Sequence, residues 1–255
     1  MCLENYSLDC LHYYTSPGLS YDAALKMSGV CLDLITDPMM YNLFELQTRG
    51  GISMITKKFA KANNPYIPET FDESEPRKYL MYLDANNLYG YAMSQPLPTG
   101  FMRFLDDDEI LNFDAKKVEK DAEKGYILEI DLEYPENLHD SHNDYPLAPT
   151  HRTVTDEELS AHSQQVWRDL HGEKATKRHK VKKLVPTLYD KEKYILHYET
   201  LKLYLSLGLK VKKIHQILEF SQSAWLKKYI DFNATKRSQA KNDFEKDFYK
   251  LMCNR

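Results

Sequence analysis

Asp84 ends an apolar run, Lys78-Tyr79-Leu80-Met81-Tyr82-Leu83, and is followed by Ala85-Asn86-Asn87-Leu88-Tyr89-Gly90. The run reads as a buried strand and the residues after it as a turn. A strand end is a rigid place to hold a carboxylate, and a turn can offer backbone N–H groups to an anion. A plain strand, turn and packed tyrosine fit the same short pattern. Lys174, Lys177, Arg178, Lys180, Lys182 and Lys183 form the main basic cluster. A solvated helix face and contact with DNA phosphates fit it equally well. Arg49 lies beside Gly50 and Gly51, a setting that allows close approach to a phosphate. Near the end, Lys246, Lys250 and Asn254 fall on one helical stripe at about 100° per residue, away from Phe248 and Leu251.

Two further groupings carry ligand-type residues. His139-Asp140-Ser141-His142-Asn143-Asp144 lies in a proline-bearing stretch, where such residues serve turns and surface hydrogen bonds more often than metals. Asp106-Asp107-Asp108-Glu109 reads as the acidic first turn of a helix rather than a metal cluster. Cys2, Cys10, Cys31 and Cys253 are scattered without CxxC spacing, which points to reduced thiols in an intracellular protein.

The elements that must position these residues follow from periodicity and punctuation. Ser16-Pro17-Gly18 reads as a turn and Ser20 as the cap of a helix carrying Ala23, Ala24, Met27 and Val30. Asp37-Pro38 opens a second helix with Met40, Leu43, Phe44 and Gln47 on one side. Residues 63–76 read as a polar connection. Gly125–Leu132 is expected to be a strand, 135–149 a loop, and Thr155-Asp156-Glu157-Glu158 a helix start. Residues 197–207 read as a helix ended by Gly208, Val211–Phe220 as a strand, and about Asn233 onward as one helix with Phe244, Phe248, Leu251 and Met252 on its apolar face. With 255 residues, 42% hydrophobic and 28% charged, the composition is that of an ordinary globular chain. No apolar run reaches the roughly 18 residues of a membrane span, and the start lacks a secretory signal pattern. A net charge of −4 is compatible with nucleic-acid binding when the basic residues are grouped.

The segment Asp84 to Gly90 resembles motif A of family-B DNA polymerases, and its extension to Pro98 resembles the form found in protein-primed Polinton/Maverick-type enzymes. The flanks agree. Tyr13 to Leu19, with Asp22-Ala23 and Leu25-Lys26, resembles the stretch after the exonuclease domain. Arg49-Gly50-Gly51-Ile52 resembles the Tyr-x-Gly-Gly template-contact motif, with Thr48 in place of the tyrosine. Gly125 to Pro149 and Leu188 to Phe220 resemble the segment between motifs A and B, which includes an insertion that contacts the priming protein. Lys250-Leu251-Met252-Cys253-Asn254 resembles the start of motif B, with Arg255 where the family has Ser or Ala.

The resemblance implies an α+β fold: part of a polymerase palm, an antiparallel sheet with helices and Asp84 on a central strand, plus the first fingers helix. It implies template-directed DNA synthesis with two Mg2+ ions, for which Asp84 and the Ala85 carbonyl would be ligands. Asn87 and Leu88 would donate backbone N–H groups to the triphosphate, Lys250 would bind it, and Asn254 would line the nascent base pair. Tyr89 would lie beneath the sugar and exclude a 2′-hydroxyl. Arg49, Gly50, Gly51, Lys177, Arg178 and Lys180 would contact DNA. The implied partners are a DNA primer-template, a dNTP and a terminal (priming) protein, with no membrane. The implied divisions are a connecting segment (1–70), a palm segment with motif A (71–100), palm strands with the insertion (101–222) and the start of the fingers (223–255). Motif C and the exonuclease motifs do not occur in these residues, so an internal fragment, inactive by itself, is expected. A non-catalytic nucleic-acid-binding remnant and a terminal-protein interaction module remain as alternatives. An intracellular site, the nucleus included, fits either.

Overall fold

The computed structural model describes residues 1–172 and 181–254. In chain order its elements are α1 (Cys2–Tyr6), α2 (Ser16–Ser28), α3 (Pro38–Gln47), α4 (Leu88–Met93), β1 (Leu97–Phe104), α5 (Asp107–Leu111), β2 (Lys124–Glu133), α6 (His139–His142), β3 (Thr150–Arg152), α7 (Ala161–His171), β4 (Lys183–Val185), β5 (Lys191–His197), α8 (Tyr198–Ser206), β6 (Lys210–Ser223), α9 (Lys227–Ser238) and α10 (Asp243–Asn254). The fold is α+β, as expected. The main sheet runs β1-β6-β2-β5, with β1 antiparallel to β6 and β2 antiparallel to β5; β3 and β4 form a separate antiparallel pair. No helix among the described residues is long and apolar enough to cross a membrane.

The chain forms two compact units. The first comprises Met1–Tyr41, Ala60–Tyr126 and Ile217–Arg255; the second comprises Asn42–Phe59 and Ile127–Gln216. In the first, Tyr6, Leu19, Ala23, Ala24, Tyr229, Ile230 and Met252 form a buried cluster that joins α1, α2, α9 and α10. In the second, β2 buries Ile127, Leu128, Ile130 and Leu132, while β5 buries Tyr194, Ile195 and Leu196. Burying one such aliphatic side chain stabilises a fold by about 1.5–3 kcal/mol, so these rows fix the pairing register.

Several expected elements are present for the expected reasons. The Asp37 carboxylate accepts from the N–H groups of Met39 (2.7 Å) and Met40 (3.3 Å), and Pro38 begins α3. Asp106 and Glu109 form a reciprocal capping box at α5. Gly208 follows α8 at φ +100°, a conformation that favours glycine.

Other expectations are corrected. Ser20 is not a cap. Thr15, in extended conformation, accepts from Gly18 N–H, and Pro17 sits in the first turn, so α2 begins at Ser16 and Ser20 is buried inside it. Thr155 to Glu158 does not start a helix. The Glu158 carboxylate instead accepts from Thr155 N–H (2.8 Å) and Arg152 (2.5 Å), and Ser160 caps α7. The C-terminal stretch is two helices rather than one. Asn242 accepts from Glu245 N–H at 2.9 Å and Glu245 from Lys241 N–H at 2.8 Å, which starts α10 afresh. Its buried face is Tyr249, Met252 and Cys253, whereas Phe244 is exposed. Residues 135–149 contain the short α6 rather than loop alone.

The largest correction concerns residues 78–84. Lys78 makes an isolated bridge to Asn63, but Tyr79 to Leu83 form no strand and are exposed. Asp84 therefore does not lie on a central strand. An apolar run becomes a strand only where a neighbour satisfies its backbone groups and covers its side chains. No described strand pairs with this run.

Candidate nucleotide site

Asp84 and Ala85 are exposed, at the end of an irregular segment that turns at Asn87. Asn87 has φ 56° and ψ 42°, the left-handed conformation that asparagine tolerates better than most residues, and its carbonyl accepts from Tyr91 N–H at 3.0 Å. This reversal starts α4, which packs against α9 and α10. Leu88 and Tyr89 are exposed on the first turn of α4. Gly90 is buried beneath Asn87. A β-carbon at Gly90 would lie 2.7 Å from Asn87 Cγ, so the Asn87 amide keeps its place against the helix only beside glycine.

Asn87, Ala234, Arg237, Ser238, Lys246 and Cys253 line a 260 Å3 cavity in the first unit. Arg237 lies in the last turn of α9 and Lys246 in the first turn of α10. Two cations thus face a cavity whose lining contains no carboxylate, and neither makes an ion pair among the described residues. Cations against the main sheet are instead matched. Arg103 Nε is 3.0 Å from Glu219, and its guanidinium binds Glu109, holding that carboxyl at about 2, well below its usual value; Lys124 also reaches Glu219 at 3.0 Å. Two cations in a wall without a carboxylate give the cavity a chemistry suited to an anion. Burial pushes the Cys253 thiol up, and the Arg237 charge partly opposes the shift.

The other expected site residues separate from this group. Lys250 is exposed one turn after Lys246, and Asn254 closes α10. Arg49 Nη1 donates to the carbonyls of Ile195 (2.7 Å) and Gln47 (3.2 Å), and its guanidinium lies 3.9 Å from the Tyr194 ring centroid. Gly50 and Gly51 line a 290 Å3 apolar cavity with Pro146, Pro149 and Tyr204. Nothing approaches within 4 Å of where their β-carbons would be, so contacts within the protein do not require glycine there. Thr48 caps α3, donating its hydroxyl to Phe44 O at 2.9 Å. Lys174, Lys177, Arg178 and Lys180 lie outside the described residues; Lys182 and Lys183 are exposed.

The ligand-type groupings serve structure. Tyr134 OH meets His142 Nδ1 at 2.9 Å, and Tyr134 O meets His139 Nε2 at 3.3 Å. Among the described residues no three His, Cys, Asp or Glu side chains are grouped to hold a metal ion. Asp84 offers one carboxylate and Ala85 one carbonyl, hard oxygen donors of the kind Mg2+ takes, but too few to enclose an ion.

Sequence reasoning missed Arg237, and treated Lys246 only as part of a helical stripe. The overlooked signal is Asn242 with Glu245. Those residues split the C-terminal stretch into a helical hairpin, which brings Arg237 and Lys246 to one cavity.

Residues 67–255 match the family model described as DNA polymerase type B, organellar and viral. The chain belongs to this polymerase family. Among solved structures, it is similar to Phi29 DNA polymerase in an orthorhombic crystal form, with a TM-score of 0.56, 13% identity, and coverage of 99% of this chain and 37% of that one. It is also similar to Phi29 DNA polymerase complexed with primer-template DNA, a post-translocation binary complex, with a TM-score of 0.50, 15% identity, and coverage of 96% and 35%. At these identities the likeness is one of fold. The chain spans little more than a third of those polymerase chains. A search of curated proteins returned no match.

Proposed function

We propose that this chain holds the incoming deoxynucleotide, beside a DNA primer-template, in a template-directed DNA polymerase. The observation that carries this reading is the convergence of Asn87, Arg237 and Lys246 on one cavity, directly after the Asp84 turn. A triphosphate needs positive charge and backbone donors placed before it arrives, so that little reorganisation accompanies the chemistry. Arg237 and Lys246 supply the charge, with Lys250 further along the same helix. The Asn87-Leu88 backbone supplies N–H groups, and Asn254 lines the nascent base pair. Tyr89 lies under the sugar and excludes a 2′-hydroxyl by bulk. Asp84 and the Ala85 carbonyl are the oxygen ligands that this segment contributes to Mg2+. When bound, Mg2+ supplies neutralisation of phosphate charge.

A site for two metal ions takes carboxylates from two segments, and residues 79–84 contribute one. The 255-residue chain by itself is therefore a holding part rather than a complete catalyst. The resemblance of Asp84 to Pro98 favours a protein-primed enzyme of the Polinton/Maverick kind, with an insertion among the palm strands of residues 101–222 contacting a terminal protein. Lys177, Arg178 and Lys180 then contact DNA phosphates.

The test is a fluorescence titration of the chain with a fluorescent dATP analogue and Mg2+. Arg237→Ala and Lys246→Ala should each weaken binding about tenfold, equivalent to about 1.4 kcal/mol and at the lower edge of what a hydrogen bond to a charged group contributes. With the corresponding ATP analogue, wild type should bind more weakly than with dATP, and Tyr89→Val should narrow that gap. Full affinity in both cation variants would remove the cavity from the function.

A further inference from the structure

The last turn of α10 is held by a buried polar network. Two hydroxyls donate to the backbone carbonyl of Met252, Ser20 Oγ at 2.9 Å and Tyr229 OH at 2.9 Å, and they lie 3.0 Å from each other. Ser20, Tyr229 and Met252 are all buried. Tyr229 is fixed at its other end as well, since its carbonyl accepts from Asn233 Nδ2 at 2.9 Å. Asn233, fully buried, in turn accepts from Tyr6 OH through Oδ1. Four helices, α1, α2, α9 and α10, thus meet in one chain of hydrogen bonds.

The apolar contacts around this network cannot set position alone. Leu19, Ala23, Ile230 and Met252 exclude water, but hydrophobic contact is non-directional and allows a helix to roll or slide. Hydrogen bonds are directional and lose strength steeply when bent. Two of them on one carbonyl fix both the height and the roll of α10. The same network sets α9, because Arg237 follows Asn233 by one helical turn. Both cations of the cavity are therefore referred to one buried point.

We propose that Ser20 and Tyr229 are positioning residues for the nucleotide site, aiming Lys246 and Arg237 at the cavity from behind. This rests on reading the cavity as the nucleotide site. Neither residue lines the cavity, and Ser20 lies far from it in sequence. Loss of one hydroxyl leaves Met252 O with the other, so the fold persists while the aim of α10 loosens.

Cys253 reports that seating independently of any nucleotide, being buried in α10 and part of the cavity wall. In a Cys2→Ser/Cys10→Ser/Cys31→Ser background, the labelling rate of Cys253 by a small aromatic disulfide is measured alongside Mg·dATP affinity. Ser20→Ala and Tyr229→Phe should each raise the labelling rate at least tenfold and weaken Mg·dATP binding about tenfold. Ile230→Val, in the same cluster but without a hydrogen bond to Met252, should lower the melting temperature and move neither readout. Labelling unchanged in both hydroxyl variants, or raised equally by Ile230→Val, overturns the positioning role. Wild-type protein that binds no Mg·dATP contradicts the nucleotide reading alone, and the labelling comparison still decides whether the hydroxyl pair holds α10.

Discussion

Lys191 shows what one buried charge does to this molecule. Its Nζ donates to Thr187 O at 2.9 Å and Thr187 Oγ1 at 2.7 Å, and among the described residues it has no carboxylate hydrogen bond. Burial pushes its pKa down from 10.5 to about 8, with neighbouring Asp190 only partly offsetting the shift. Below about pH 8 the lysine is charged in both states, and the folded state bears the full cost of burying the charge. Between about pH 8 and 10.5 the unfolded chain binds a proton that the folded chain does not, so stability rises with pH. The Cys253 thiol, pushed up by burial, opposes this rise near pH 9, and the buried phenols of Tyr6 and Tyr229, also pushed up by desolvation, oppose it at higher pH. The urea midpoint of wild type should therefore gain on that of Lys191→Met from pH 7 to 9.5. An equal slope in the two proteins would show that Lys191 is not the titrating group. At this scale the sequence marks Asp84 and Asn87 by their neighbours. Arg237, Lys191 and Ser20 escape notice because their roles depend on what packs beside them.

The Asn87 turn and the helix after it make a matched pair. Gly90 sits inside α4, where alanine would gain about 0.8–1 kcal/mol of helix propensity. Yet its β-carbon would displace the Asn87 amide from its place on the helix. Gly90→Ala should leave the melting temperature unchanged or slightly raised while weakening Mg·dATP binding several-fold, as measured by the same titration. Unchanged affinity would mean that the Asn87 turn does not shape the site. Elements whose signals are local were legible in the sequence: Asp37-Pro38 before α3, the apolar alternation of β2, and Gly208 after α8. Elements whose signals are non-local were not. Tyr79 to Leu83 has strand composition, but a strand is made by its partner. The α9–α10 break depends on side-chain caps within a run of otherwise helical residues. Thr155 to Glu158 has the composition of a helix start, and Arg152 diverts its acid.

At the scale of the whole molecule, the α+β class and the polymerase family were both readable, because the segment that resembles motif A is contiguous and the sheet strands carry their own periodicity. The match over residues 67–255 shows the family, and the likeness to Phi29 DNA polymerase is one of fold. We propose that this chain presents a nucleotide to a template. That role is tested most directly by nucleotide affinity in the presence of primer-template DNA, with the next template base varied. Opposite thymine, dATP should bind at least about tenfold tighter than the other three nucleotides, and changing the template base should move the preference to its complement. Equal affinity for all four nucleotides, indifferent to the template base, would contradict it.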